Sequence, residues 1–145
     1  MRIIVDGDGC AGMHIIEKVA SKYNIPLKVF CTYNHNISLS YGEVSFIDIA
    51  FQSVDMVVFN ETLKNDIVVT QDFGVAAMVI GKKAYALSPK GYIFSEGNMD
   101  RLLFERHISS KVRRSGGRTK GSKKRDSEDD DRLYKSLVKL IECVI

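Results

Sequence analysis

Asp6 and Asp8 stand one glycine apart at the end of the run Ile3-Ile4-Val5, and a third acid, Asp72, follows the similar run Ile67-Val68-Val69-Thr70. Carboxylates held this close repel each other, and a divalent cation or a shared proton is the usual relief. Apolar β-branched runs without alternation are the pattern of central parallel strands covered on both faces. In open α/β sheets, ligands bind outside the carboxyl ends of such strands. Two strands that each finish on an acid would therefore bring Asp6, Asp8 and Asp72 to one sheet edge, with Asp55 arriving from a flanking helix. Four carboxylates suit Mg²⁺ or Mn²⁺, hard ions that take oxygen ligands and keep waters for bridging to phosphates. The chemistry this supports is phosphodiester hydrolysis, with Asp6, Asp8 and Asp72 as catalytic carboxylates and all four acids as metal ligands. Each acid also has a plainer reading: Asp-Gly-Asp-Gly as a turn, Asp72 as the cap of the next helix, Asp55 as a surface acid.

The elements that must position these residues alternate along the chain. After the first strand, Ile16, Val19, Ala20 and Tyr23 recur at helical spacing and predict a helix over roughly 13–23. Leu27 to Cys31 reads as a second strand, 32–41 as a polar loop, and Val44 to Phe46 as a short strand. Ile47, Ala50, Phe51, Val54 and Val58 have the spacing of a second amphipathic helix. On it Asp48 and Asp55, seven apart, point the same way, Asp55 bordering the apolar stripe. A helix from Phe73 through Val79, a strand from Ala84 to Leu87, the turn Ser88-Pro89-Lys90-Gly91 and an edge strand Tyr92 to Phe94 follow. Met99, Leu102 and Leu103 begin a further helix to about Ser110. Ser127-Glu128-Asp129-Asp130 reads as a capping-box start, and Leu133, Leu137, Leu140, Ile141 and Val144 mark a terminal helix at about 127–143.

The 145 residues suit a single domain, and 45% hydrophobic with 27% charged residues is ordinary for a soluble globular protein. No apolar run approaches a bilayer span and no secretory leader is recognised, so the expectation is a cytoplasmic protein with no membrane association. Charge is distributed unevenly. Residues 111–125 hold eight basic residues and no acid, interleaved with glycine and serine. Such a flexible basic loop can follow a phosphate backbone, which makes nucleic acid, RNA foremost, the expected partner, through Arg113, Arg114, Arg118, Lys120, Lys123 and Lys124. Alternatively the acids from Asp126 to Asp131 neutralise it in cis. Cys31 and Cys143 read as small core residues and Cys10, beside the acidic turn, as a core residue or a nucleophile; three cysteines make no disulfide framework. Nucleotide cofactors lack support, since no glycine-rich fingerprint or P-loop occurs.

Val5-Asp6-Gly7-Asp8-Gly9-Cys10, Val68-Val69-Thr70-Gln71-Asp72, Leu87-Ser88-Pro89-Lys90-Gly91 and Arg114-Ser115-Gly116-Gly117 together resemble the YaiI/YqxD family of bacterial proteins, nearly end to end. That family looks like a relative of PIN-type and 5′-nuclease domains. The resemblance implies a three-layer α/β/α PIN-like fold with a mainly parallel central sheet and an acidic metal site. The family's opening motif is usually Asp-Ala-Asp-Ala-Cys-Pro, so Asp6, Asp8 and Cys10 match, while Gly7, Gly9 and Ala11 depart and would loosen the turn. Asp55 and Asp72 match family acids. His35 resembles a family loop histidine that could contact phosphate or relay a proton. The resulting expectation is a divalent-metal-dependent nuclease acting on RNA or DNA. One alternative is a haloacid-dehalogenase-like phosphatase with Asp6 as nucleophile, Asp8 as acid and base, and Thr70 as its second motif. Another is a non-catalytic nucleic-acid-binding module working through the basic loop.

Overall fold

A computed structural model describes residues 1–8, 10–32, 37–95, 97–98 and 124–144. Its centre is strand β1 (Ile3–Asp6), whose three leading residues are fully buried. β1 pairs in parallel with β2 (Leu27–Thr32) on one side and β4 (Ile67–Val69) on the other, Ile3 lying opposite both Leu27 and Ile67. β3 (Glu43–Ile47) adds in parallel outside β2, β5 (Tyr85–Leu87) adds in parallel outside β4, and β6 (Ile93–Phe94) closes the far edge antiparallel. The order is β3-β2-β1-β4-β5-β6. The chain thus builds outward from β1 in one direction and then crosses back to build in the other. The gap between the carboxyl ends of β1 and β4 is the switch point where such sheets bind ligands.

Strand side chains alternate between faces, and the core divides accordingly. Ile3, Val5, Leu27, Val29, Ile67, Val69 and Leu87 pack with helices α1 (Met13–Lys22) and α4 (Ser127–Val144). Ile4, Phe30, Val68 and Ala86 pack on the other side with α2 (Val54–Glu61) and α3 (Phe73–Gly81). This is the three-layer α/β/α arrangement with a mainly parallel sheet that the sequence predicts. Among the described residues no helix is long and apolar enough to cross a membrane.

Several boundaries differ from the sequence expectation. Ile47 does not open a helix; it ends β3 opposite Thr32. The chain then turns on Asp48, whose side chain accepts the Ala50 N–H at 3.0 Å and whose carbonyl accepts the Phe51 N–H at 3.0 Å. Helix α2 begins only after Ser53, whose hydroxyl caps the Met56 N–H at 3.2 Å. Strand pairing and two local polar groups override the helical spacing of Ile47, Ala50 and Phe51, so Asp48 and Asp55 do not share a helix. The capping box of α4 lies one residue earlier than predicted: Asp126 accepts the N–H groups of Glu128 and Asp129, and Asp129 accepts that of Asp126. Cys31 is buried as expected, whereas Cys143 is exposed on the outer face of α4. The helix expected from Met99 lies outside the described residues.

Candidate functional site: an acidic cluster at the switch point

Asp6 ends β1 and shares the parity of Ile4, so it faces the side of the sheet covered by α2 and α3. Its Oδ2 accepts a hydrogen bond from the hydroxyl of buried Thr70, at the end of β4, at 3.1 Å. The same hydroxyl oxygen accepts the Asp72 N–H at 3.0 Å. Asp72 in turn caps α3, its Oδ1 accepting from Gly74 N at 2.7 Å and Val75 N at 3.3 Å. On the other flank of β1, Asp8 Oδ1 accepts from the backbone N–H of Thr32 at 3.0 Å and from its hydroxyl at 3.3 Å. Two threonines at the ends of the strands beside β1 therefore grip one carboxylate each. Thr70 was legible as a candidate in the sequence; Thr32 was not, because it reads as the first residue of a polar loop.

Electrostatics ties the four acids together. Burial, reinforced by the charges of Asp55 and Asp8, pushes the Asp6 carboxyl up to about 6 despite the Thr70 hydrogen bond. Asp55, in the first turn of α2, is raised by burial, by the charge of Asp72, by a hydrogen bond with that carboxyl, and by Asp8. Two carboxyls can hydrogen-bond only by sharing a proton. The helix N-terminus, which favours the ionised form of Asp55, is outweighed. Charge thus links Asp6 to Asp55 and Asp8, and Asp55 to Asp72 and Asp8, at the edge where β1 and β4 end. Among the described residues, however, no three His, Cys, Asp or Glu side chains converge closely enough to hold one ion as they stand. The donor chemistry, carboxylates with a threonine hydroxyl, is nonetheless the kind that hard divalent cations take.

Gly7 does not loosen the turn. Its N–H donates to the Phe30 carbonyl at 2.7 Å, and a Cβ there would stand 2.8 Å from Val29 Cγ1 and 3.0 Å from the Phe30 carbonyl oxygen. Here glycine permits close approach to β2. Gly9 lies outside the described residues. Cys10 is half-buried, and burial together with the charge of Asp6 pushes its thiol up to about 12. Such a shift favours the neutral thiol, the form of a packed cysteine. His35 lies outside the described residues, as do Arg113, Arg114, Arg118, Lys120 and Lys123.

Lys124 is exposed. Arg125, the last residue of the basic run, is neutralised in cis: its guanidinium lies 2.8 Å from Asp130 and donates to the Pro89 carbonyl at 2.6 Å. It also packs against Gly12, the left-handed residue (φ 82°) that opens α1, where a Cβ would collide with the guanidinium. The chain thus enters α4 beside the connection from β1 to α1, at the same sheet edge as the acids.

The family model described as "Uncharacterized BCR, YaiI/YqxD family" matches residues 4–143. The UPF0178 protein of Clostridium perfringens (strain SM101 / Type A) is 60% identical over 144 residues, covering 99% of this chain and 97% of that protein. The UPF0178 protein of Clostridium tetani is 55% identical over 141 residues, covering 97% of both chains. That of Ruminiclostridium cellulolyticum is 46% identical over 142 residues, covering 98% of this chain and 93% of the relative. No solved structure matches the chain. With nearly every residue within the match and identities this high, the chain belongs to the YaiI/YqxD family.

Proposed function

We propose that the protein is a divalent-metal-dependent nuclease that hydrolyses phosphodiester bonds of RNA or DNA at the acidic cluster. The observation that carries this reading is the coupling of Asp6, Asp8, Asp55 and Asp72 at the switch point, where repulsion and burial raise Asp6 and Asp55. Purely structural acids are ordinarily stabilised as anions by their partners, so raised carboxyls at a ligand-binding edge point to function. Bound Mg²⁺ or Mn²⁺ would relieve that repulsion, polarise a phosphoryl group and supply hydroxide near neutral pH. Asp6, Asp8, Asp55 and Asp72 are the candidate ligands, and their side chains would have to draw closer than they stand to share one ion. Thr70 and Thr32 orient two of these carboxylates through hydrogen bonds. The basic segment 111–124 would draw in the nucleic acid backbone, and the fixed entry of α4 at this edge supports its delivery to the acids.

The test is cleavage of end-labelled single-stranded RNA and DNA by the full chain with Mn²⁺, Mg²⁺ or EDTA, beside Asp6→Asn. The expected result is metal-dependent cleavage that the variant lacks. Undiminished cleavage by Asp6→Asn would overturn the mechanism. Binding that survives EDTA without any cleavage would assign the protein to the non-catalytic nucleic-acid binders.

A further inference from the structure

The two helical layers meet solvent differently. Lys18, Lys22, Asp131, Lys135, Lys139 and Glu142 are exposed on α1 and α4, whereas the exposed residues of α2 and α3 are Met56, Asn60, Gly74, Ala77, Met78 and Gly81, none of them charged. α3 contains no polar side chain at all, a composition ordinarily found in helices covered on every side. α2 packs against α3 and is apolar outside as well as inside: Val54, Val57 and Val58 are buried, while Met56 is 50% exposed and Leu63, just past the helix, is 60% exposed. Met78 on α3 is 40% exposed, and the turn that leads into α2, held by Asp48, presents Ile49 at 69% and Phe51 at 86%. The two acids of α2 are half-buried, Asp55 at the acidic cluster and Glu61 beside Lys28 at 3.6 Å. Lys82, which borders α3, is drawn down onto Phe59, its amine donating to the Phe59 carbonyl at 2.6 Å and lying 4.5 Å from the ring centre.

We infer that the outer face of α2 and α3, with the turn before α2, is the surface through which two copies of this chain associate about a two-fold axis. At about 200 Å² for a fully exposed large side chain, Ile49, Phe51, Met56, Leu63 and Met78 together offer roughly 600 Å² of apolar surface. That lies at the upper end of the largest patch on a typical monomer, about 300–600 Å². It is also most of the roughly 800 Å² that each partner contributes to a stable interface, and Ala77, Asn60 and the glycines extend it. Charge selects the occupant. A two-fold axis lays a surface against itself, so exposed charges near the axis would meet their own copies and cost affinity. α2 and α3 expose none. The same lack of exposed cations leaves a phosphate backbone or an anionic lipid surface without attraction here. A second copy presents the match such a face needs, equally apolar, equally uncharged and of the same extent. This association stands apart from the nuclease reading.

The test is sedimentation velocity of the full chain over a wide range of concentration, and the expected result is a mass twice that of the chain. Met56→Lys with Met78→Lys sets like charges across the axis and is expected to raise the dissociation constant about a hundredfold while keeping the circular dichroism of the parent. Should that pair disturb the fold, Met56→Gln with Met78→Gln takes its place, with an expected loss of about tenfold. Lys135→Glu, on α4, is expected to leave the dimer as it is. The chain contains no tryptophan, so Phe51→Trp introduces a single emitter in the turn, and its emission is expected to shift to the blue in step with the mass. A dimer that the Met56 and Met78 substitutions leave undiminished, that Lys135→Glu weakens equally, or whose formation leaves the indole unshifted overturns the inference. So does a monomer at every concentration, whether its indole is exposed, which leaves the face to another partner, or already buried, which shows the face covered within the chain.

Discussion

The Thr70 hydroxyl donates to Asp6 at 3.1 Å and accepts the Asp72 N–H at 3.0 Å, so one buried group fixes the ends of two strands relative to each other. Thr70→Val keeps the shape and removes both bonds. The expected cost is about 1–2 kcal/mol, read by urea denaturation. Because the Thr70 bond lowers the Asp6 pKa, the Asp6 carboxyl in this variant is expected to titrate still higher in a carboxyl ¹³C NMR titration. A fall toward the ordinary aspartate value would refute the assignment of that bond.

Asp6 gives the fold a pH dependence of defined sign. The folded protein holds this proton up to about pH 6, whereas the unfolded chain releases it near about pH 4. Stability therefore falls as pH rises between those values, and the ionised acid remains a burden above them. Asp6→Asn, which can still accept from Thr70, is expected to stabilise the protein by about 1–2 kcal/mol at pH 8 after screening, and by almost nothing at pH 4. Thermal unfolding at the two pH values measures this directly. Equal effects at both would place the gain elsewhere.

Asp72 has two separable duties, capping α3 and opposing Asp55. Asp72→Ala loses the cap and is expected to cost about 1 kcal/mol. Asp72→Asn keeps a capping oxygen but removes the negative charge, so the Asp55 carboxyl is expected to titrate lower than in the parent. An Asp55 titration unmoved by Asp72→Asn would show that burial and Asp8 raise it without Asp72.

Asp66 provides a control outside the site. It is almost wholly buried and accepts from the Arg2 backbone N–H at 3.0 Å, the Arg2 guanidinium at 2.9 Å and Leu63 N at 2.9 Å. Asp66→Ala strands these donors and is expected to cost about 3 kcal/mol. Its specific cleavage rate, corrected for folded protein, is expected to match wild type. A selective loss of rate with intact stability would move Asp66 into the site.

The sheet and its acids were legible because their signals are local. Ile3-Ile4-Val5 and Ile67-Val68-Val69 read as buried strands, and an acid at the end of such a strand needs no knowledge of the rest of the chain to be placed at the edge. Asp55 was harder. Its helix was expected to begin at Ile47, and the boundary is set instead by pairing with β2 and by the Ser53 cap. Asp66 takes its role from Arg2, 64 residues away, a pairing that no local pattern announces. Thr32 was missed for the same reason: what makes it matter is Asp8, which meets it only once the strands align. Phe51 carried a helical spacing in the sequence, and its exposure appears only in three dimensions.

β1 is hydrogen-bonded on both sides and buried on both faces. Its amides therefore open to exchange with solvent only when the whole molecule unfolds, unlike those of the rim. The carboxylates anchored at its end inherit this protection. Loss of the Asp6 and Asp8 arrangement on heating or in denaturant should accordingly track global unfolding.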